Sequence, residues 1–193
     1  MLALAQRKFS SSQNIEWQEA DAGALPFSDS SFDAVVCQFG LMFVPDKESA
    51  IRECYRVLGP GGVFLFNVWD SMERNPFAKI AHETIASFFD HDPPNFYELP
   101  FCLFDADLIR ALLQRSGFKG IESTLVTLPC RSSSATDFGI GLVRGNPTAT
   151  AIEERGVKID EVIAAVSQKI AENFGSAPVE STMQAFVWRA VHE

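Results

Sequence analysis

Between Phe32 and Trp69 the apolar residues follow two different rhythms. Ala34-Val35-Val36-Cys37-Gln38-Phe39 is a nearly continuous apolar run closed by Gly40, and Val63 to Trp69 is a second. Short β-branched runs of this kind suit strands buried on both faces, as in a parallel sheet. Between them Ile51, Cys54, Tyr55 and Leu58 recur at helical spacing behind Asp46, a good N-cap, and Gly59-Pro60-Gly61-Gly62 ends that helix. Strand, helix, strand within about 35 residues is a βαβ crossover, which sets both strands parallel in one sheet.

Ahead of this unit, residues 2–10 have helical spacing. Ile15 to Glu19 reads as a short strand leading into a loop with turn residues at Gly23, Pro26 and Ser28 to Ser31. Behind it, residues 70–101 form a long excursion, helical around Phe77 to Phe89 and broken at Asp92-Pro93-Pro94. Asp105 opens a helix striped by Leu108, Ile109, Leu112 and Leu113 and ended by Gly117. Ile121 to Cys130 reads as a strand with Val126, Leu128 and Cys130 on one face. Asp160 opens a helix striped by Val162, Ile163, Val166, Ile170 and Phe174, closed by Gly175, and Met183 to Val191 is a final strand. Nothing resembling a repeat or linker divides the chain, so residues 1–193 are read as one α/β domain.

Composition narrows the function classes. The 193 residues are 47% hydrophobic and 21% charged, an ordinary globular balance with enough chain for a sizeable core. With 16 Lys and Arg against 25 Asp and Glu, the net charge of −9 lacks the footprint of a nucleic-acid binder, and anionic membrane surfaces should repel it. Val63-Phe64-Leu65-Phe66 falls far short of the roughly 18 apolar residues a spanning helix needs. The start, MLALAQRKFSSS, places its basic residues after a very short apolar stretch, unlike a secretory signal, and two basic residues make a poor transit peptide. The expected compartment is the cytoplasm. Four cysteines without C-x-x-C and three histidines without H-x-x-x-H point away from a zinc site. The cysteines are read as reduced and mostly buried, and the 17 phenylalanines as core.

Asp21-Ala22, Leu25-Pro26-Phe27, Asp29, Ser31-Phe32-Asp33, Arg56-Val57-Leu58 and Pro60-Gly61-Gly62 stand in order before the second strand. In that order and spacing they resemble the class I S-adenosylmethionine-dependent methyltransferases, in the branch that includes the ubiquinone and menaquinone biosynthesis enzymes. The resemblance implies a Rossmann-like, doubly wound sheet with an antiparallel C-terminal hairpin, S-adenosylmethionine as cofactor and a small-molecule methyl acceptor. It also implies that Asp21 accepts from the adenine amino group while the Ala22 amide donates to the neighbouring ring nitrogen. Gln38, Phe39 and Gly40 would face the sulfonium and methionine part, with Leu25 and Met42 as core residues bordering the cofactor. Ligands of open α/β sheets do sit beyond the carboxyl ends of the strands. The alternative for Asp21 is a carboxylate that merely caps its turn.

One part of the family's pattern is not found. The family opens with a strand and a G-x-G-x-G loop, then a helix and a strand ending in an acidic residue for the ribose, and neither stands before Ile15. Gly139-Ile140-Gly141 follows Ser/Thr-rich sequence rather than a buried strand and is not read as a nucleotide loop. The expectation is an N-terminally truncated domain lacking about 60 residues, two strand–helix units, with Met1 matching an internal position. S-adenosylmethionine binding should then be weak or absent and methyl transfer impaired; the alternative is a non-catalytic remnant or interaction module. A nicotinamide-dependent oxidoreductase would need the same glycine loop. The excursion at 70–101 is expected to cover the substrate. Its His82, Glu83, Asp90, His91 and Tyr97 are read as solvated surface groups, and no catalytic residue is singled out. The strand Ala34 to Phe39 would be left with an open edge, favouring a homodimer over collapse of residues 15–19 onto it.

Overall fold

The computed structural model describes residues 2–9 and 14–193. The βαβ unit forms as its pattern predicts. β1 (Phe32–Gln38) and β2 (Leu58–Trp69) run parallel, with Val35 opposite Phe64 and Gln38 opposite Asn67. They are joined through α2 (Lys47–Val57), whose N-cap Asp46 accepts from the Ser49 amide at 2.9 Å. A helix α1 (Leu2–Gln6) precedes them, shorter than the spacing over 2–10 predicts; residue 10 lies outside the described residues.

The rest of the sheet is antiparallel. After β2 come α3 (Pro76–Ala86), α4 (Ala106–Arg115) and β3 (Lys119–Ser132), then α5 (Ala135–Arg144), α6 (Thr148–Glu154), α7 (Ile159–Phe174) and β4 (Val179–Val191). β4 lies between β2 and β3, antiparallel to both, giving the order β1-β2-β4-β3. The C-terminal antiparallel pair is therefore present, with three helices set between its strands.

Two cores result. On one face of the sheet Phe64, Phe66, Val68 and Trp188 pack with Ile51 of α2 and Ile109 of α4. Beyond the strand ends, Ala81 and Ile85 of α3 pack with Val143 of α5 and Val166 and Ile170 of α7. Asn75, fully buried, ties these two bodies together. Its Nδ2 donates to the carbonyls of Asp70, Ser71 and Gln184, and its Oδ1 accepts from the Gln184 amide at 2.9 Å. Burying this amide is tolerable because each of its polar atoms is satisfied.

Several expectations need correction. Ile15 to Glu19 forms no strand and is largely exposed; an isolated short alternation has no ladder to join there. β1 is not buried on both faces, Val36 being 69% exposed, although it does lie at the edge of the described sheet, as the open-edge expectation had it. Opposite the α2/α4 layer, Val36, Leu65 and Val187 form a face that no described helix covers. The helix in the 70–101 excursion ends at Ala86 rather than Phe89, and it belongs to a bundle with α5 and α7. Gly139-Ile140-Gly141 lies inside α5, as a packing feature and not a loop. A Cβ on Gly139 would fall into Ser167 of α7, 3.1 Å from its Cα. Of the cysteines, all free, only Cys54 is buried, and Cys102 is exposed.

Candidate functional site

The carboxyl end of β1 is bent by its own backbone. Phe39, directly after Gln38, has φ 49°, a left-handed conformation that costs a non-glycine residue on the order of 1 kcal/mol. Asn67 of β2 holds it there: the Phe39 amide donates to the Asn67 carbonyl at 3.2 Å and to Asn67 Oδ1 at 3.0 Å. The Phe39 ring stacks on Trp69, with centroids 4.4 Å apart and planes 24° from parallel. Gly40 completes the turn, since a Cβ there would lie 2.9 Å from Cys37 Sγ.

A cavity of about 270 Å³ opens at this turn. Gln38, Phe39, Asn67 and Trp69 line it from the parallel strands, and Val126, Leu128, Met183, Ala185 and Val187 line it from β3 and β4 on the same face of the sheet. No side chain of the lining carries a charge; its polar groups are two amides and an indole. It is an apolar, ring-sized space with few, placed hydrogen-bonding groups.

The loop of residues 21–29 is built differently. Asp21 is exposed, and its Oδ1 accepts from the Gly23 amide at 2.8 Å, so one carboxylate oxygen caps the turn. Ala22 packs against the core. The loop is pinned to α2 by a clamp. Glu53 Oε2 accepts from the Leu25 amide at 2.7 Å. Arg56 donates to Glu53, to Asp29 at 2.7 Å, and to the carbonyls of Phe27 and Leu25 at 2.8 and 2.9 Å. The Arg56 hydrogen bond, reinforced by the Leu25 amide, holds the Glu53 carboxyl below the usual range, and hydrogen bonds to Glu53 and Asp29 raise Arg56.

Of the residues expected at the cofactor, Gln38 and Phe39 line the carboxyl-end cavity, and Gly40 only completes the turn beside it. Leu25 lines another space, with Phe27, Phe32 and Val57, while Asp21 and Ala22 line neither. Met42 is fully buried core. Asn67 and Trp69 were missed as site residues, although their place at the end of an apolar run marked them: an amide and an indole interrupt it where a strand should meet a ligand.

No side chain of the 70–101 excursion lines this cavity, although the Phe101 ring lies 6.0 Å from that of Trp69. Tyr97 is not solvated as expected: it is buried, donates to the Leu142 carbonyl at 2.6 Å, and burial pushes its phenol up. His82 is half-buried, its Nε2 3.9 Å from Glu98, and Glu83, Asp90 and His91 are exposed. A larger open cleft of about 550 Å³ lies between residues 94–102 and α6, but its one cationic side chain, Arg155, is committed to Asp92 at 3.1 Å. Among the described residues, no group of three His, Cys, Asp or Glu could hold a metal ion, and no helix is long and apolar enough to cross a membrane.

Residues 1–66 match the family model described as a methyltransferase domain. The ubiquinone/menaquinone biosynthesis C-methyltransferase UbiE of Escherichia coli is 33% identical over 120 residues, covering 56% of this chain and 47% of the relative. The chain thus spans about half the length of the curated relatives it matches. A Bacillus halodurans crystal structure assigned to the methyltransferases has a TM-score of 0.57 at 20% identity, over 92% of this chain and 78% of that one. The [4+2]-cyclase SpnF has a TM-score of 0.50 at 22% identity, over 98% of this chain and 60% of its own. At such identities the structures establish a shared Rossmann-like fold, and SpnF's name shows that the fold by itself does not set the reaction.

Proposed function

We propose that the chain is a class I S-adenosylmethionine-dependent methyltransferase, and that the cavity at the carboxyl ends of β1 and β2 is where a methyl group meets a small, largely apolar acceptor. The observation that carries the reading is the Phe39 turn, strained, held by Asn67 and stacked on Trp69 beside that cavity. Strain of this kind persists where surrounding structure over-determines it, as at ligand sites.

S-adenosylmethionine brings an already activated methyl group, which passes to the acceptor atom as the carbon–sulfur bond breaks and its electron pair stays on sulfur. The protein's share is to hold acceptor and methyl in line and to exclude water. Phe39 and Trp69 supply an aromatic wall for that purpose. The second carboxylate oxygen of Asp21 and the Ala22 amide are the adenine contacts, on a loop kept in place by Arg56 and Glu53. These contacts are few, and each neutral hydrogen bond contributes about 0.5–1.5 kcal/mol. Affinity of this chain for S-adenosylmethionine is therefore weaker than micromolar, and turnover is low. Equilibrium dialysis at millimolar S-adenosylmethionine should show weak saturable binding that Asp21→Ala reduces. Absence of saturable binding would overturn the reading, and micromolar affinity would overturn the expected weakness.

A second reading, an interaction module, is favoured by the free edge of β1 and the exposed Val36, Leu65 and Val187. A second copy pairing on that edge would cover both.

A further inference from the structure

Of the two side-chain amides lining the cavity, Asn67 is the one whose orientation a hydrogen bond fixes. The Phe39 amide is a donor, so the atom of Asn67 facing it at 3.0 Å must be the acceptor oxygen; the reversed amide would set two donors against each other. With Oδ1 committed in this way, Nδ2 is turned away from Phe39, and no described residue accepts from it. Asn67 also lines the cavity, beside Gln38 in the strand register. Gln38 is exposed, and its amide carries no hydrogen bond among the described residues. It is therefore free to present oxygen or nitrogen as a ligand requires and does not discriminate.

We propose that Asn67 Nδ2 is a fixed hydrogen-bond donor that selects, for this cavity, planar apolar ligands carrying an accepting oxygen. The proposal rests on the reading of this cavity as the acceptor site and narrows the acceptor to that class. Three features converge on it. The Phe39–Trp69 pair offers flat aromatic surface. The volume of about 270 Å³ exceeds the ~150 Å³ of a cavity known to hold benzene. A donor left unpaired in an otherwise apolar wall penalises a ligand that brings no oxygen to it. The same amide that stabilises the left-handed turn at Phe39 thus reads the ligand with its other end.

Acetophenone and α-methylstyrene test this, because they have nearly the same shape and differ in a carbonyl oxygen against a methylene. Binding of each to the full chain is followed by nitrogen–proton spectra, using the Asn67 side-chain amide and the Trp69 indole. Acetophenone should bind roughly two- to tenfold more tightly than its isostere, and it alone should shift the Asn67 amide protons. In Asn67→Asp the carboxylate still accepts from the Phe39 amide but donates nothing at neutral pH, so the preference should vanish while the Phe39 signal stays in place. Equal affinity in the unsubstituted chain would overturn the proposal. So would a preference that survives Asn67→Asp, which would assign the donor to Gln38 or Trp69. If Asn67→Asp fails to fold, the isostere comparison and the amide shift in the unsubstituted chain still decide. Neither probe needs the cofactor, so failure of S-adenosylmethionine binding, read by dialysis, is a separate result.

Discussion

Glu53 illustrates how a side chain with no chemistry of its own can hold a loop in one conformation. It accepts from the Leu25 amide and from Arg56, which in turn holds Asp29 and two loop carbonyls. Its carboxyl is depressed in the folded chain, so the folded state binds its proton less readily than the unfolded state. The stabilisation is complete above the ordinary glutamate value of about 4.3 and is lost as pH falls through the lower folded value. A carbon-detected titration should place the Glu53 midpoint below that ordinary value, with the Leu25 amide moving alongside; an ordinary midpoint would break the clamp account. Glu53→Gln should raise protease cleavage within residues 21–29, read against cleavage elsewhere. The sequence placed Arg56 only within a motif. Its partners lie up to 31 residues away, beyond what local spacing can show. Asp21 was legible as a turn-capping carboxylate, and the structure gives one of its oxygens to the Gly23 amide; an adenine contact is the role proposed for the other.

The elements that local chemistry specifies were the most legible. Asp46 and Asp105 cap α2 and α4 as expected, because a cap depends on amides two or three residues away. Replacing Asp105 by Ala should cost about 1 kcal/mol in chemical denaturation. What depends on distant partners was not legible: the apolar run of β1 reads as buried on both faces yet leaves Val36 exposed, and Ile15 to Glu19 alternates without a ladder to join. Asn75 is such a distant junction. Asn75→Ala removes the partner of the part-buried Asp70 carbonyl and Gln184 amide and should destabilise by roughly 1–3 kcal/mol. Gly139→Ala should cost a similar ~1–3 kcal/mol through overpacking of α5 on α7, partly recovered by Ser167→Ala. Full additivity of those two changes would contradict the contact.

At the scale of the whole molecule, the sheet presents one covered face and one bare one. Val36, 69% exposed, shares a face with Leu65 and Val187 and belongs to β1, whose outer edge pairs with no strand among the described residues. Such edges invite pairing. Sedimentation at tens of micromolar should show self-association that Val36→Lys removes; a monomer throughout would leave the edge without that role. The same arrangement explains where the site is. Parallel β1 and β2 end together, the bundle of α3, α5 and α7 begins beyond them, and the Phe39–Trp69 wall stands at the junction, with Trp69 packed against both cores. The central claim is that S-adenosylmethionine engages the 21–25 loop and this junction in one site. A titration with S-adenosylhomocysteine, followed residue by residue in nitrogen–proton spectra, tests it most directly. The account predicts weak, saturable shifts confined to Asp21–Leu25, Gln38–Gly40 and Asn67–Trp69. Shifts centred instead on residues 94–102 and α6, or none at millimolar ligand, would contradict it.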